Sequence, residues 1–112
     1  MKKINSKTLN EVGVRHNTEI KKKVMIASGE FDNILTFGRA IFQPNQSSSP
    51  HTHKDVNEIF FILSGKGLFH TENNTITVEK DDYISIPAGE KHWQSNPYKE
   101  PLELLYFIIE TS

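Results

Sequence analysis

The chain of 112 residues contains no cysteine, and this absence removes several classes of protein at once. A disulfide-stapled secreted domain, a thiolate metal site, a redox motif of two cysteines and a cysteine nucleophile all require thiol groups. Any metal ion must therefore be held by nitrogen and oxygen atoms, which here means histidine and carboxylate side chains.

Long apolar runs and an excess of one charge are also missing. The longest apolar runs, 59–63 and 104–109, are far shorter than the ~20 residues that a membrane span needs. No apolar segment follows the basic N-terminus, so we expect no signal peptide and a cytoplasmic protein. Thirteen Lys and Arg residues balance fourteen Asp and Glu residues, which argues against a nucleic-acid or membrane partner.

Short segments rich in β-branched and aromatic residues alternate with turn sequences, a pattern that predicts an all-β protein. The expected strands lie near 22–27, 34–42, 58–63, 67–71, 75–78, 83–86, 92–95 and 102–109, with a short extended piece at 50–53. A chain of this length forms one domain. Eight or nine short strands in one domain suggest a small barrel or a sandwich. We expect an N-terminal arm of undecided structure over 1–20 and a β-barrel domain over 21–112.

The last predicted strand is apolar on both faces. Leu104, Tyr106 and Ile108 share one face, whereas Leu105 and the residues that alternate with it share the other. A strand of this kind is usually covered on both sides. The second cover is either another copy of the chain or the N-terminal segment, and we favour a homodimer.

Three histidines and one glutamate fall in two short segments, and their spacing suggests a metal site. His51 and His53 lie two residues apart, so in a strand both point to the same face. Glu58 has the opposite parity, but the polar stretch 54–57 can form a turn that resets it. His92 follows a Pro-x-Gly turn that can aim a new strand at the same cavity. Three imidazoles and one carboxylate suit Mn, Fe, Co, Ni, Cu or Zn rather than Ca or Mg.

These two segments resemble the two sequence motifs of the cupin superfamily. The first motif is matched by His51-x-His53, four residues, Glu58, six residues and Gly65. The second is matched by Pro87-x-Gly89, two residues, His92, three residues and Asn96. The resemblance implies a single antiparallel jelly-roll β-barrel with a metal near its axis, bound by His51, His53, Glu58 and His92.

Two positions depart from the cupin pattern. The leading glycine of the first motif is Asn45, and that of the second is Asp81. Both glycines are expected in turns with positive φ, a conformation that Asn and Asp tolerate better than other residues with side chains. The turns therefore remain plausible, and the proposed ligands are unaffected.

Further residues are candidates for the wall of a ligand pocket. Phe60 shares its parity with Glu58, which directs it into the barrel. Phe42 and Tyr106 are further candidates, although a barrel core needs such residues in any case. Arg39 either binds an acidic substrate or lies on the exposed face. Asn96, by contrast, is expected to close a turn before Pro97.

The predicted site allows several functions. Four protein ligands leave up to two open positions for water, O2 or a bidentate small molecule. We favour a metal-dependent enzyme of the dioxygenase type, with an isomerase, lyase or cyclase next, and Glu58 is a possible catalytic base. The alternatives are a non-catalytic module that senses a small ligand or metal, and a sugar-nucleotide isomerase or epimerase. The last would need a phosphate clamp, for which only two arginines are present.

Overall fold

The computed structural model describes residues 1–111. It contains one short 3-10 turn at Ser6–Thr8 and nine strands. The strands are β1 Val12–Val14, β2 Asn17–Ile26, β3 Ile34–Phe42, β4 Val56–Ser64, β5 Lys66–Thr71, β6 Thr75–Glu79, β7 Tyr83–Ile86, β8 His92–Ser95 and β9 Leu102–Glu110. Over the described residues there is no α-helix, and thus no helix that could cross a membrane.

Two antiparallel sheets enclose the core. One sheet has the order β1-β2-β3-β9-β4-β7, and the other has the order β6-β5-β8. Alternate residues of each strand point inward, as the two-residue period of a strand requires. The buried apolar residues that form the core are Ile20, Ala40, Phe42, Phe60, Ile62, Phe69, Val78, Ile86, Leu102, Leu104 and Tyr106.

The predicted all-β barrel is confirmed, and each expected strand overlaps an observed one. The largest difference is at the N-terminus. Residues 12–14 form β1, and β2 begins at Asn17 and pairs with both β1 and β3. The boundary expected after residue 20 therefore falls inside β2, so part of the arm belongs to the large sheet. The polar residues 15–19 lack the alternation of apolar residues that marks a strand. Whether such a segment pairs depends on neighbours that are distant in sequence.

The turns that lead into the two motif segments have the predicted conformation. Asn45 has φ 70° and Asp81 has φ 75°, so both occupy the left-handed region in place of glycine. Gly65 has φ 82°, and a Cβ atom there would lie 2.1 Å from the carbonyl oxygen of Pro101. Glycine is thus required where the β4–β5 turn meets the start of β9.

The outer face of the large sheet is partly apolar. The N-terminal segment lies over its β2–β3 side, where Lys23 Nζ donates to the carbonyl oxygen of Ser6 at 3.1 Å. Farther along the sheet, Ile59, Phe61 and Tyr83 are 37%, 38% and 74% exposed. The N-terminal segment therefore covers one part of the outer face and leaves β4 and β7 uncovered in a single copy of the chain.

Candidate metal centre

Backbone hydrogen bonds hold the two motif segments together. His51 and His92 face each other in an antiparallel bridge, with N–H···O distances of 3.1 and 3.0 Å. Gly89 donates its N–H to the carbonyl oxygen of His53 at 2.7 Å. Ala88 donates to Oδ1 of Asn57 at 2.9 Å. Residues separated by about forty positions in the sequence therefore share one local framework.

Glu58 is the acidic residue of this framework, and it is almost completely buried. It is the third residue of β4 and is 4% exposed. Phe60 and Ile62 follow it on the inner face of the same strand. The strand starts at Val56, after a bend at residues 54 and 55, and this interruption resets the parity between His53 and Glu58. A buried carboxylate is costly unless it is paired or bound.

Two imidazoles are oriented by hydrogen bonds to backbone carbonyl groups. His51 donates its Nδ1–H to the oxygen of Ser49 at 2.9 Å. His92 donates its Nδ1–H to the oxygen of Glu90 at 2.8 Å. These bonds fix the orientation of each ring and leave its Nε2 available to a ligand. A histidine that binds a metal usually makes a hydrogen bond of this kind with its other ring nitrogen.

The donor atoms of the four predicted ligands converge. Oε2 of Glu58 lies 2.8 Å from Nε2 of His92, and Oε1 lies 3.7 Å from Nε2 of His53. One ligand atom each from His51, Glu58 and His92 lies within 4.8 Å of the others. Metal–ligand bonds of about 2.1 Å place donor atoms at most ~4.2 Å apart. The donor atoms of His51, Glu58 and His92 thus lie near the spacing that a single ion requires, and His53 adjoins Glu58.

His51, His53 and Glu58 line a cavity of about 220 Å³, and His92, which is hydrogen-bonded to Glu58, is not among its lining residues. The apolar wall of the cavity includes the predicted residues Phe42, Phe60 and Tyr106. Arg39, in contrast, does not line this cavity. Its side chain points to the outer face, where it forms an ion pair with Glu103. Arg39 was expected either to bind an acidic substrate or to lie on the exposed face, and the structure places it on the outer face of the sheet.

Comparison with known proteins agrees with this geometry. The family model described as Cupin domain matches residues 38–108, which is more than half of the chain. This chain is a cupin. The matched residues run from β3 to β9 and include both motif segments.

Two relatives of this cupin carry informative names. The oxalate-binding protein of Thermotoga maritima is 33% identical over 73 residues, which cover 65% of this chain and 60% of that protein. The acireductone dioxygenase of Synechococcus sp. (strain RCC307) is 41% identical over 49 residues, which cover 40% of this chain and 26% of that protein. The cupin thus matches only part of the length of either relative.

Solved structures with low sequence identity share the fold. The crystal structure of a predicted oxalate decarboxylase from Thermotoga maritima has a TM-score of 0.89 at 23% identity, and the match covers 97% of this chain and 99% of that chain. The polyketide cyclase RemF from Streptomyces resistomycificus has a TM-score of 0.83 at 22% identity, covering 100% and 80%. These similarities establish the barrel architecture.

Glu58 and His92 form an ion pair in this structure. Burial alone would raise the pKa of Glu58, but the hydrogen bond from His92 and the nearby imidazoles outweigh it and lower that pKa. Burial likewise opposes protonation of His92, but the bonds to Glu58 and to the Glu90 carbonyl group raise its pKa. His51 behaves differently, because burial lowers its pKa to about 4. At neutral pH its Nε2 therefore carries a free lone pair.

Among the lining residues that sequence reasoning missed, three bring a ring nitrogen, an ammonium group or an amide to the cavity. His16, in the turn between β1 and β2, stacks on His51 with 3.9 Å between ring centroids. Burial, together with the charge that a protonated His53 would carry, lowers the pKa of His16. Lys22 places its ammonium group 5.7 Å from the centre of the Tyr106 ring. Gln94 is 5% exposed, and its amide nitrogen has no hydrogen-bond partner within residues 1–111.

Sequence signals for these residues were weak. The alternation in β2 makes Lys22 share a face with Ile20, and the alternation in β8 makes Gln94 share a face with His92. Strand parity therefore directs both side chains into the barrel. His16 lies in a turn, where parity gives no direction.

The Glu58–His92 pair predicts a pH-dependent stability in metal-free protein. We expect Glu58→Gln to lower the free energy of unfolding by about 1.5–3 kcal/mol near pH 6. The loss should shrink as the pH rises above the ordinary histidine pKa of 6.5, because a group with a raised folded pKa stabilises the fold below its unfolded pKa and loses this effect as the pH rises through the folded pKa. Denaturant unfolding of both proteins in chelator, from pH 5.5 to 9, measures the difference. A difference that stays constant over this range would contradict the pairing.

Proposed function

We propose that this cupin binds one divalent transition-metal ion through His51, His53, Glu58 and His92, and a small oxygen-rich anion beside it. The observation that carries the proposal is that His51, His53 and Glu58 line a cavity that also contains a cation and an unpaired amide donor, while His92 is hydrogen-bonded to Glu58. The buried carboxylate supports it too, since a bound cation is one of the few partners that stabilises such a charge.

The ligand chemistry narrows the choice of metal. Three imidazoles and a carboxylate suit Mn, Fe, Co, Ni, Cu or Zn, and the set is the one that the cupin motif supplies. When bound, such an ion polarises ligand oxygens, and a redox-active one also exchanges electrons. The hydrogen bonds from His51 and His92 to backbone carbonyl groups hold the rings in place for it.

The cavity wall favours an anion with several acceptor oxygens. The Lys22 ammonium group lies inside the cavity, and its pKa is lowered by burial, so it lacks its full hydration. The Gln94 amide oxygen accepts from Ser48 Oγ at 3.0 Å, which leaves the amide NH2 free for a ligand. A carboxylate would satisfy both donors. The relative named oxalate-binding protein is consistent with a small dicarboxylate.

A dioxygenase reaction is the second candidate function. It is favoured by the relatives named acireductone dioxygenase, which are up to 45% identical over the segments that they share with this chain. The cavity supports this reading because a four-ligand set leaves room for both O2 and an organic ligand. Glu58 is the candidate base, since its carboxylate is the acidic group at the site and hydrogen-bonds directly to His92.

Metal content tests the first part of the proposal. We expect protein purified without an affinity tag or chelator to contain nearly one equivalent of a first-row metal by elemental analysis. The double variant His51→Ala, His53→Ala should contain less than about a tenth of this, because it loses two of the four ligands. The variant His70→Ala is a matched control, since that imidazole hydrogen-bonds to Thr75 and Ser95 outside the site. Absence of metal from the wild type, even after addition of each ion, would overturn the proposal.

Anion binding tests the second part. We expect oxalate to bind the metal-loaded protein and Lys22→Met to weaken its affinity about tenfold, or ~1.4 kcal/mol, because one cationic contact is lost. Lys21→Met, on the opposite face of the same strand, is the control and should bind normally. Titration calorimetry gives both affinities. Equal affinities for the two variants would contradict the role of Lys22. Oxygen uptake with an enediol substrate, in place of simple binding, would favour the dioxygenase.

We also propose that a second copy of the chain covers the exposed part of the outer face. The apolar residues of β4 and β7 adjoin the outer residues of β9, where Phe107 stacks on Phe37 at 4.3 Å. We expect a dimer in sedimentation velocity, and a monomer for Phe61→Lys, because a charge there opposes burial. Lys80→Glu is a surface control. A wild-type monomer at all accessible concentrations would contradict the dimer.

A further inference from the structure

The turn between β1 and β2 brings a fourth imidazole to the metal centre. The ring of His16 lies parallel to that of His51, with an interplanar angle of 8°, and its centroid is 5.8 Å from that of His53. One ring nitrogen from each of these three histidines lies within 4.8 Å of the others. The cavity mouth therefore has a ligand set of its own, which shares His51 with the buried set.

The position of this turn is fixed independently of the His16 side chain. Ser49 donates from its N–H and its Oγ to the carbonyl oxygen of His16, at 3.4 and 3.0 Å. Asn17 Nδ2 donates to the carbonyl oxygen of Ser47 at 3.0 Å. Ser49 also orients His51, because its own carbonyl oxygen accepts the hydrogen bond from Nδ1 of that ring. Because the contacts use the backbone of His16, replacing its side chain leaves the turn in place.

Burial separates the two ligand sets. Glu58 and His92 are 4% and 3% exposed, whereas His16, His51 and His53 are only partly buried. An ion that enters from solvent meets the three partly exposed imidazoles first. Neutral imidazole is a good ligand for all the metals that the inner set suits.

We propose that His16 is an additional protein ligand of the metal ion, supplied by the β1–β2 turn. With His16 bound, an octahedral ion keeps one exchangeable position, and with the ring turned away it has two. His16 thus governs how many positions are open to a small molecule. This inference rests on the proposed metal site, and its test separates the failure of one from the failure of the other.

The experiment compares wild-type protein with His16→Ala after loading with Co²⁺. We expect the dissociation constant for Co²⁺, measured by competition with a chelator, to rise at least about tenfold in the variant. In proton NMR spectra we expect four sets of hyperfine-shifted imidazole resonances in the wild type and three in His16→Ala. Thr18→Ala, in the same hairpin, is the control and should match the wild type in both measurements.

The outcomes are distinct. Stoichiometric Co²⁺ binding with three imidazole sets in both proteins and equal dissociation constants would overturn the role of His16 and leave the inner site intact. A wild type that takes up no Co²⁺ would overturn the metal site and this inference together. A weaker affinity in His16→Ala with an unchanged number of imidazole sets would assign His16 an indirect role and also overturn the proposal. Circular dichroism of each variant checks that the fold is retained.

Discussion

The buried carboxylate of Glu58 is the constraint on which the site depends. It occupies the inner face of a strand whose next two inward residues are Phe60 and Ile62. A charge in this position needs compensation, and the structure supplies it through the hydrogen bond from His92 at 2.8 Å. The hydrogen bond to His92 holds this carboxylate in place. The backbone bridge between His51 and His92 then keeps both imidazoles beside it.

Most of the fold could be predicted from the sequence because local signals and the long-range structure agree. Alternating apolar residues marked the strands, and turn residues marked their ends. Asn45 and Asp81 are the clearest case. Each replaces a glycine of the motif with a residue that tolerates positive φ, and each has a positive φ in the structure. The β1–β2 hairpin was harder, because residues 15–19 at its turn are all polar and its position is fixed by the pairing of β2 with β3.

The site could be predicted only in part. The spacing of His51, His53, Glu58 and His92 indicated which side chains converge, because motif spacing reflects strand parity and turn length. The direction of Arg39 could not be chosen, since a basic residue in a strand is compatible with either face until its partner, Glu103, is known. His16 was out of reach for a different reason: its position depends on hydrogen bonds to a loop more than thirty residues away.

The distribution of the site over two sheets has a mechanical consequence. Glu58 belongs to the six-stranded sheet, and His92 belongs to the three-stranded one. A group bound by both residues would act as a strut across the barrel, and its binding energy would resist any sliding of one sheet over the other. At a concentration one hundred times its dissociation constant, such a strut adds about 2.7 kcal/mol to the stability of the barrel. The melting temperature of the whole domain would then depend on the concentration of one small cation.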